Sequence, residues 1–253
     1  MQSIQYLVCQ FNKMKKEKNE YLFCEQNGVY YTLITVSGFW GAFTYLLRGN
    51  VFCNAQTGNV VLLGLVIGSG NVRKIIYYLI PIFAYMAGAF LSEILPNPIK
   101  YNMQIRWDTL LIGVEILVVV ILGFIPESFP VQISQVAINF IASMQFNTFR
   151  QAQGTPMATT FATNHIRQIG IGLAKEIQHW NKTDKSHRIK LKKHFFMLLC
   201  FLLGAVIGTA FCNHMQGRAI WITAIPLICL FCLMVHDDKV NGKEHLDQKP
   251  LGH

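Results

Sequence analysis

Residues 195–213 read FFMLLCFLLGAVIGTAFCN, a run with no charged side chain whose helical length matches the hydrocarbon core of a bilayer. Blocks of the same kind fall at about 29–47, 75–95, 107–125, 129–148 and 219–235. Each is predicted to form a helix in lipid, because a helix pairs its own N–H and C=O groups where no water is available to do so. Composition agrees. The 253 residues are 52% hydrophobic and 14% charged, against about 25% charged in a soluble domain. The reading is an all-α integral membrane protein with six to eight transmembrane helices.

Charge sets the expected topology. The chain carries a formal +9, and its basic residues lie between the apolar blocks rather than on one soluble face. That pattern fits cytoplasmic loops and argues against nucleic-acid binding. Lys13, Lys15, Lys16 and Lys18 precede the first block, and Lys182, Lys185, Arg188, Lys190, Lys192 and Lys193 precede the fifth. The expected organisation is a cytoplasmic segment 1–28, one transmembrane domain 29–235 with a basic cytoplasmic loop at 175–193, and a polar tail 236–253, with both termini cytoplasmic. No cleavable leader is expected, because residues 1–28 lack an apolar core and a small-residue cleavage site. Among seven cysteines, Cys229 and Cys232 have C-x-x-C spacing inside an apolar run, which reads as packing. No metal or cofactor motif and no enzyme signature of the H-E-x-x-H, G-x-S-x-G, Walker or dinucleotide type occurs, so an enzyme is not expected.

Two further segments have helical length but polar first halves. Residues 51–69 read VFCNAQTGNVVLLGLVIGS and residues 156–174 read PMATTFATNHIRQIGIGLA. With a shift of 106 positions Ser37 meets Ser143, Phe43 meets Phe149, Thr57 meets Thr163 and Gly64 meets Gly170. Small residues recur every four positions in the span that follows each, at Ala84, Gly88 and Ser92 and at Cys200, Gly204, Gly208 and Cys212. These ladders, with Ser37/Gly41 and Gly38/Ala42, suit close helix packing in lipid, within the chain or in a homo-oligomer. The whole reads as two internal repeats, about 29–125 and 135–235, each with a short polar, broken second helix. If both short helices cross, eight spans form two parallel halves and Arg73/Lys74 face the cytoplasm. If neither crosses, six spans form inverted halves. The spanning reading is preferred because it places Arg73/Lys74 with the other basic residues.

The stretch Gly38-Phe39-Trp40-Gly41-Ala42-Phe43, followed by Asn54-Ala-Gln-Thr57-Gly58-Asn59-Val60-Val-Leu-Leu-Gly64, resembles the YoaK-type bacterial membrane proteins, the DUF1275 family. Thr159 to Arg167 resembles that family's second polar element. The resemblance covers about 29–235 and implies a bacterial inner-membrane protein with internal repeats, without an established activity. Two positions depart from the pattern. Gly41 stands where members often carry Asp, and Asn164-His165 replaces a glycine-containing pair.

Broken helix ends in equivalent places of two repeats are where transporters hold substrate. The expected substrate-binding set is therefore Asn54, Gln56, Thr57 and Asn59 from one half and Thr160, Thr163, Asn164, His165 and Arg167 from the other, with Arg167 a clamp for an anion. Glu115, an acid in mid-block, and His165 are candidates for proton coupling. Glu115 is expected either to pair with Arg167 or to be protonated. The functional expectation is a small-molecule transporter or permease with its site at the repeat interface. The alternative is a non-transporting structural, assembly or lipid-binding protein, whose polar residues only pack.

Overall fold

The computed structural model describes residues 21–96, 105–178, 186–240 and 250. Lys13, Lys15, Lys16, Lys18, Lys182, Lys185, the side chain of Arg73 and most of the C-terminal tail lie outside the described residues. Among the described residues, a 3-10 turn (Phe23–Glu25) is followed by eight α-helices: α1 (Asn27–Leu47), α2 (Gln56–Gly68), α3 (Val72–Ile94), α4 (Trp107–Phe124), α5 (Val131–Thr148), α6 (Thr163–Gln178), α7 (Ser186–Met215) and α8 (Ala224–Val240). Among the described residues the strands are two of two residues each, a hairpin between α5 and α6 that pairs Gln151–Ala152 with Thr155–Pro156 and is closed by Gln153 and Gly154 at positive φ.

Among the described residues, three stretches are long and apolar enough to cross a membrane: Lys74–Ile94, Trp107–Phe124 and the helical run Ser186–Val240. The last is two legs. Gln216 at φ 53 breaks the α-helix, and a 3-10 segment (Gln216–Thr223) turns the chain into α8. Outward faces carry Phe83, Met86 and Phe90 on α3 and Leu199, Leu202 and Val206 on α7, all exposed. Apolar surface of this extent is what lipid contact requires. Two ends differ from expectation. α7 as described (Ser186–Met215) takes in part of the expected loop, and its Arg188 is tied to Glu176 of α6 at 2.8 Å. α8 runs to Val240, into the expected tail, where Asp238 accepts from the backbone N–H of Arg106 at 3.2 Å.

Paired contacts give the helix directions. One end of the bundle gathers the starts of α1, α4 and α7 with the ends of α3, α5 and α8. There Tyr30 meets Phe149 edge to face at 6.2 Å, Trp107 Nε1 donates to Thr148 Oγ1 at 3.0 Å, and Arg106 holds Asp108 at 3.0 Å. At the opposite end Arg48 Nε donates to Ser134 Oγ at 3.1 Å, Gln135 Nε2 to the Tyr77 hydroxyl at 2.8 Å, and Trp221 Nε1 to the Val120 carbonyl at 3.0 Å. α1 and α7 therefore run parallel, as do α3 and α5, while α1 and α5 run antiparallel.

Small residues make these parallel pairs close. A Cβ placed on Gly204 would land on the Thr35 carbonyl, and one on Gly38 on the Phe201 carbonyl. A Cβ on Gly88 would land on the Phe140 carbonyl. The ladders thus form seams inside the chain, α1 against α7 and α3 against α5. Backbones this near gain dispersion in lipid, where no hydrophobic drive joins helices.

Candidate functional site

The two short helices differ from the rest in where they begin. After α1 the chain reverses at Gly49 (φ 78) and Asn50 (φ 57) and runs back along the same helix. The Cys53 N–H donates to Thr44 Oγ1 at 3.3 Å and Asn54 Nδ2 to the Ser37 carbonyl at 3.0 Å. Ser37 is the middle of α1, so α2 starts at mid-depth and returns to the end it came from, where Gly70 (φ 72) turns into α3. With 13 residues it covers about 20 Å, less than the roughly 30 Å of a bilayer core. The chain after α5 does the same from the other end. It passes through the hairpin, then returns until the Thr159 carbonyl accepts from Gln145 Nε2 at 3.4 Å. α6 then leads back, with Gly172 against Leu191 and Glu176 against Arg188.

Between these starts lies a buried polar cluster. Gln56 Nε2 donates to Asn139 Oδ1 at 2.7 Å, and Gln56 Oε1 accepts from Asn59 Nδ2 at 3.2 Å. Gln145 Nε2 also donates to Ser37 Oγ at 3.1 Å, linking α5 to the centre of α1. Tyr85, in the middle of α3, faces Thr160. Gln145 Oε1 and Thr159 Oγ1 are fully buried and have no hydrogen-bond partner, and Thr160 Oγ1, equally buried, has only the Tyr85 hydroxyl before it. Leaving a buried polar atom unpaired costs about 1–3 kcal/mol, and two side by side need a reason.

The expected site residues divide. Asn54, Asn59, Thr160 and His165 are buried and Gln56 is half-buried, whereas Thr57, Thr163 and Arg167 are exposed and Asn164 is half-buried. Asn59 is occupied locally, since its amide donates to the Phe52 carbonyl at 2.8 Å and accepts from the Phe52 N–H at 3.3 Å. It fastens the re-entrant stretch to α2. The expected pairing of Arg167 with Glu115 does not form. Arg167 points outward and donates to Asn164 Oδ1 at 3.1 Å, because the first turn of α6 presents it on the outer face. A long cationic side chain there reaches water by extending along its stem. Glu115 is fully buried on α4, and neither carboxyl oxygen has a hydrogen-bond partner.

His165 sits elsewhere in the same half. Its Nε2 bonds the Ala158 carbonyl at 2.8 Å and its Nδ1 lies 2.9 Å from His194 Nδ1 on α7. The carbonyl accepts only an N–H, so His165 carries its proton on Nε2 and its Nδ1 accepts from His194. The pair fastens α6 to α7.

Residues missed at the level of sequence are Ser37, Tyr85, Gln135, Asn139, Gln145, Thr159 and His194, together with Arg48, which is buried beside Phe43. A signal existed. Gln135, Asn139, Ser143 and Asn147 recur every four residues along α5, and this stripe faces α3 and α2 through Tyr77, Gln56 and Ser92.

The family model DUF1275, described as a protein of unknown function, matches residues 29–233. The chain belongs to the DUF1275 family. No curated protein and no solved structure matches it. Family membership and the long apolar helices together mark a membrane protein.

Proposed function

We propose that this DUF1275 member is a small-molecule transporter of the bacterial inner membrane, with six crossing helices in two inverted repeats and a substrate site where α2 and α6 begin. The observation that carries the reading is the start of two short helices at mid-depth, reached from opposite ends of the bundle, beside buried polar atoms without partners. Irregular backbone and unpaired polar groups are tolerated at that depth where they line a cavity or meet a ligand.

The packing supports the repeats. Exchanging α1–α4 with α5–α8 turns the α1/α7 seam into the α3/α5 seam, and the α2/α3 contact into the α6/α7 contact. The positive-φ turns Gly49–Asn50 and Gln153–Gly154 fall at matching places. The halves rock about this pseudo-symmetric interface, so that access alternates. The end carrying Arg106, Arg150, Lys175, Arg188, Lys190, Lys192 and Lys193 faces the cytoplasm by the positive-inside rule. Arg73 and Lys74 then lie on the outer side, against the expectation that favoured eight crossings. A homo-oligomer would use faces other than the glycine seams, which are filled within the chain.

A second reading has one observation behind it. The amides of Asn54, Gln56 and Asn59 have partners within the fold, as a purely structural or assembly role requires. Thermal unfolding of the purified protein across a solute panel separates the two. A ligand bound only by the native state raises its melting point. Transport predicts at least one solute that stabilises wild type but not Gln145→Leu or Thr159→Val. Equal responses in all three proteins would remove the site from consideration.

A further inference from the structure

The proposed site also limits the charge of what enters it, an inference that rests on the transport reading. An anion at membrane mid-depth needs a cationic partner, and an organic cation needs an anionic one, because an unpaired charge there is far costlier than an unpaired hydroxyl. Among the described residues the charged side chains are placed elsewhere, and the His165–His194 pair that borders the site has both His165 ring nitrogens engaged, one by the Ala158 carbonyl and one by His194. Arg167 is exposed on the outer face of α6. Arg106 is held by Asp108, and Arg150 by Glu93 at 2.7 Å, both at the basic end. Arg48 is at the opposite end against Ser134. Glu115 is on α4, whose main packing partners are α5, α8 and the 3-10 segment, not α2 or α6.

What remains at mid-depth is neutral. Asn54 donates to the Ser37 backbone, Gln56 to Asn139, and Gln145 to Ser37. The atoms left over are one amide acceptor, Gln145 Oε1, and the hydroxyls of Thr159 and of Thr160, the last beside the Tyr85 hydroxyl. An amide oxygen accepts and a hydroxyl both donates and accepts. Together they complement a molecule that presents hydroxyl or N–H groups and carries no net charge. We infer that the site takes an uncharged, hydroxyl- or amide-bearing small molecule, held by Gln145, Thr159 and Thr160.

The test uses the full chain in liposomes and six labelled probes: glycerol, urea and myo-inositol as neutral solutes, and phosphate, glutamate and choline as charged ones. At least one neutral probe is expected to enter ten-fold faster than in protein-free liposomes. That flux should fall at least ten-fold in Gln145→Leu and Thr160→Val. It should stay within two-fold in Gly170→Ala, which lies outside the site with nothing within 4 Å of an added Cβ and controls for handling of a variant. Size-exclusion profiles confirm that equal amounts of folded protein are compared. Entry of phosphate, glutamate or choline that is lost in the same variants overturns the neutral class while leaving the transport reading in place. Neutral flux that survives both variants overturns the assignment to these three residues. No flux of any probe overturns the transport reading and the substrate class with it.

Discussion

Replacing Gly204 with alanine adds one methyl group at the tightest point of the α1/α7 seam. The new Cβ would land on the Thr35 carbonyl oxygen and lie 2.8 Å from the carbonyl carbon and 3.1 Å from its Cα. All three are backbone atoms of a 21-residue helix, so no rotamer change relieves the contact. Carbon atoms rest at about 3.5–4.0 Å, so the two helices must part by about 1 Å. Overpacking of this kind costs about 1–3 kcal/mol. Alanine recovers about 1 kcal/mol through its helix propensity. The net loss is up to about 2 kcal/mol, which in a chain of this size lowers Tm by up to about 8 °C. Gly88→Ala should behave alike, since its Cβ would meet the Phe140 carbonyl on the other seam. Gly64 and Gly170 have nothing within 4 Å of an added Cβ, so alanine there should leave Tm unchanged or raise it. Fluorescence-monitored melting of the four variants in one detergent measures this. A Gly204→Ala protein that melts with Gly170→Ala, at or above wild type, would refute the seam.

Three other expectations are independent of that one. A reporter fused near Val72 should lie across the membrane from one fused near Lys190, and the same side for both would restore the eight-helix count. Glu115→Leu should raise stability by about 1–3 kcal/mol, because it removes a buried carboxyl that has no hydrogen-bond partner; a lower melting point would show that the acid is paired in the membrane. His165→Leu should cost about 1–3 kcal/mol, since it leaves the Ala158 carbonyl and His194 without their partner. His194→Leu in the same background should then cost little more, giving a coupling of about 1 kcal/mol in a double-mutant cycle, whereas strict additivity would mean the rings do not share a proton.

The helical membrane class was legible because burial in lipid imposes itself on every residue of a block. The span at 107–125 matches α4 (Trp107–Phe124) to within one residue, and Pro126 and Pro130 bound the link to α5. The polar starts of α2 and α6 were also legible, since Asn54, Gln56 and Asn59 are too costly to face lipid and are indeed turned inward. Individual side chains were harder to place. Arg167 and His165 are two positions apart on one helix, and 100° per residue sends one outward and the other into the α7 contact. Nothing local in the sequence states which face is which. Gln145 looked like an ordinary member of an apolar block, because its role depends on Ser37, 108 positions away.

The sequence alone determined that the chain is a helical bundle for lipid, which ladders of small residues pack, and which two segments break the pattern. Those properties are sums over local side chains. Only the tertiary structure decided that the glycine ladders join α1 to α7 and α3 to α5, that the short helices begin at mid-depth, and that Gln145 Oε1 and Thr159 Oγ1 are buried there without hydrogen-bond partners. Those facts depend on which helices meet and in which direction. A hydrophobic pattern carries no record of this, because lipid rewards every apolar face equally.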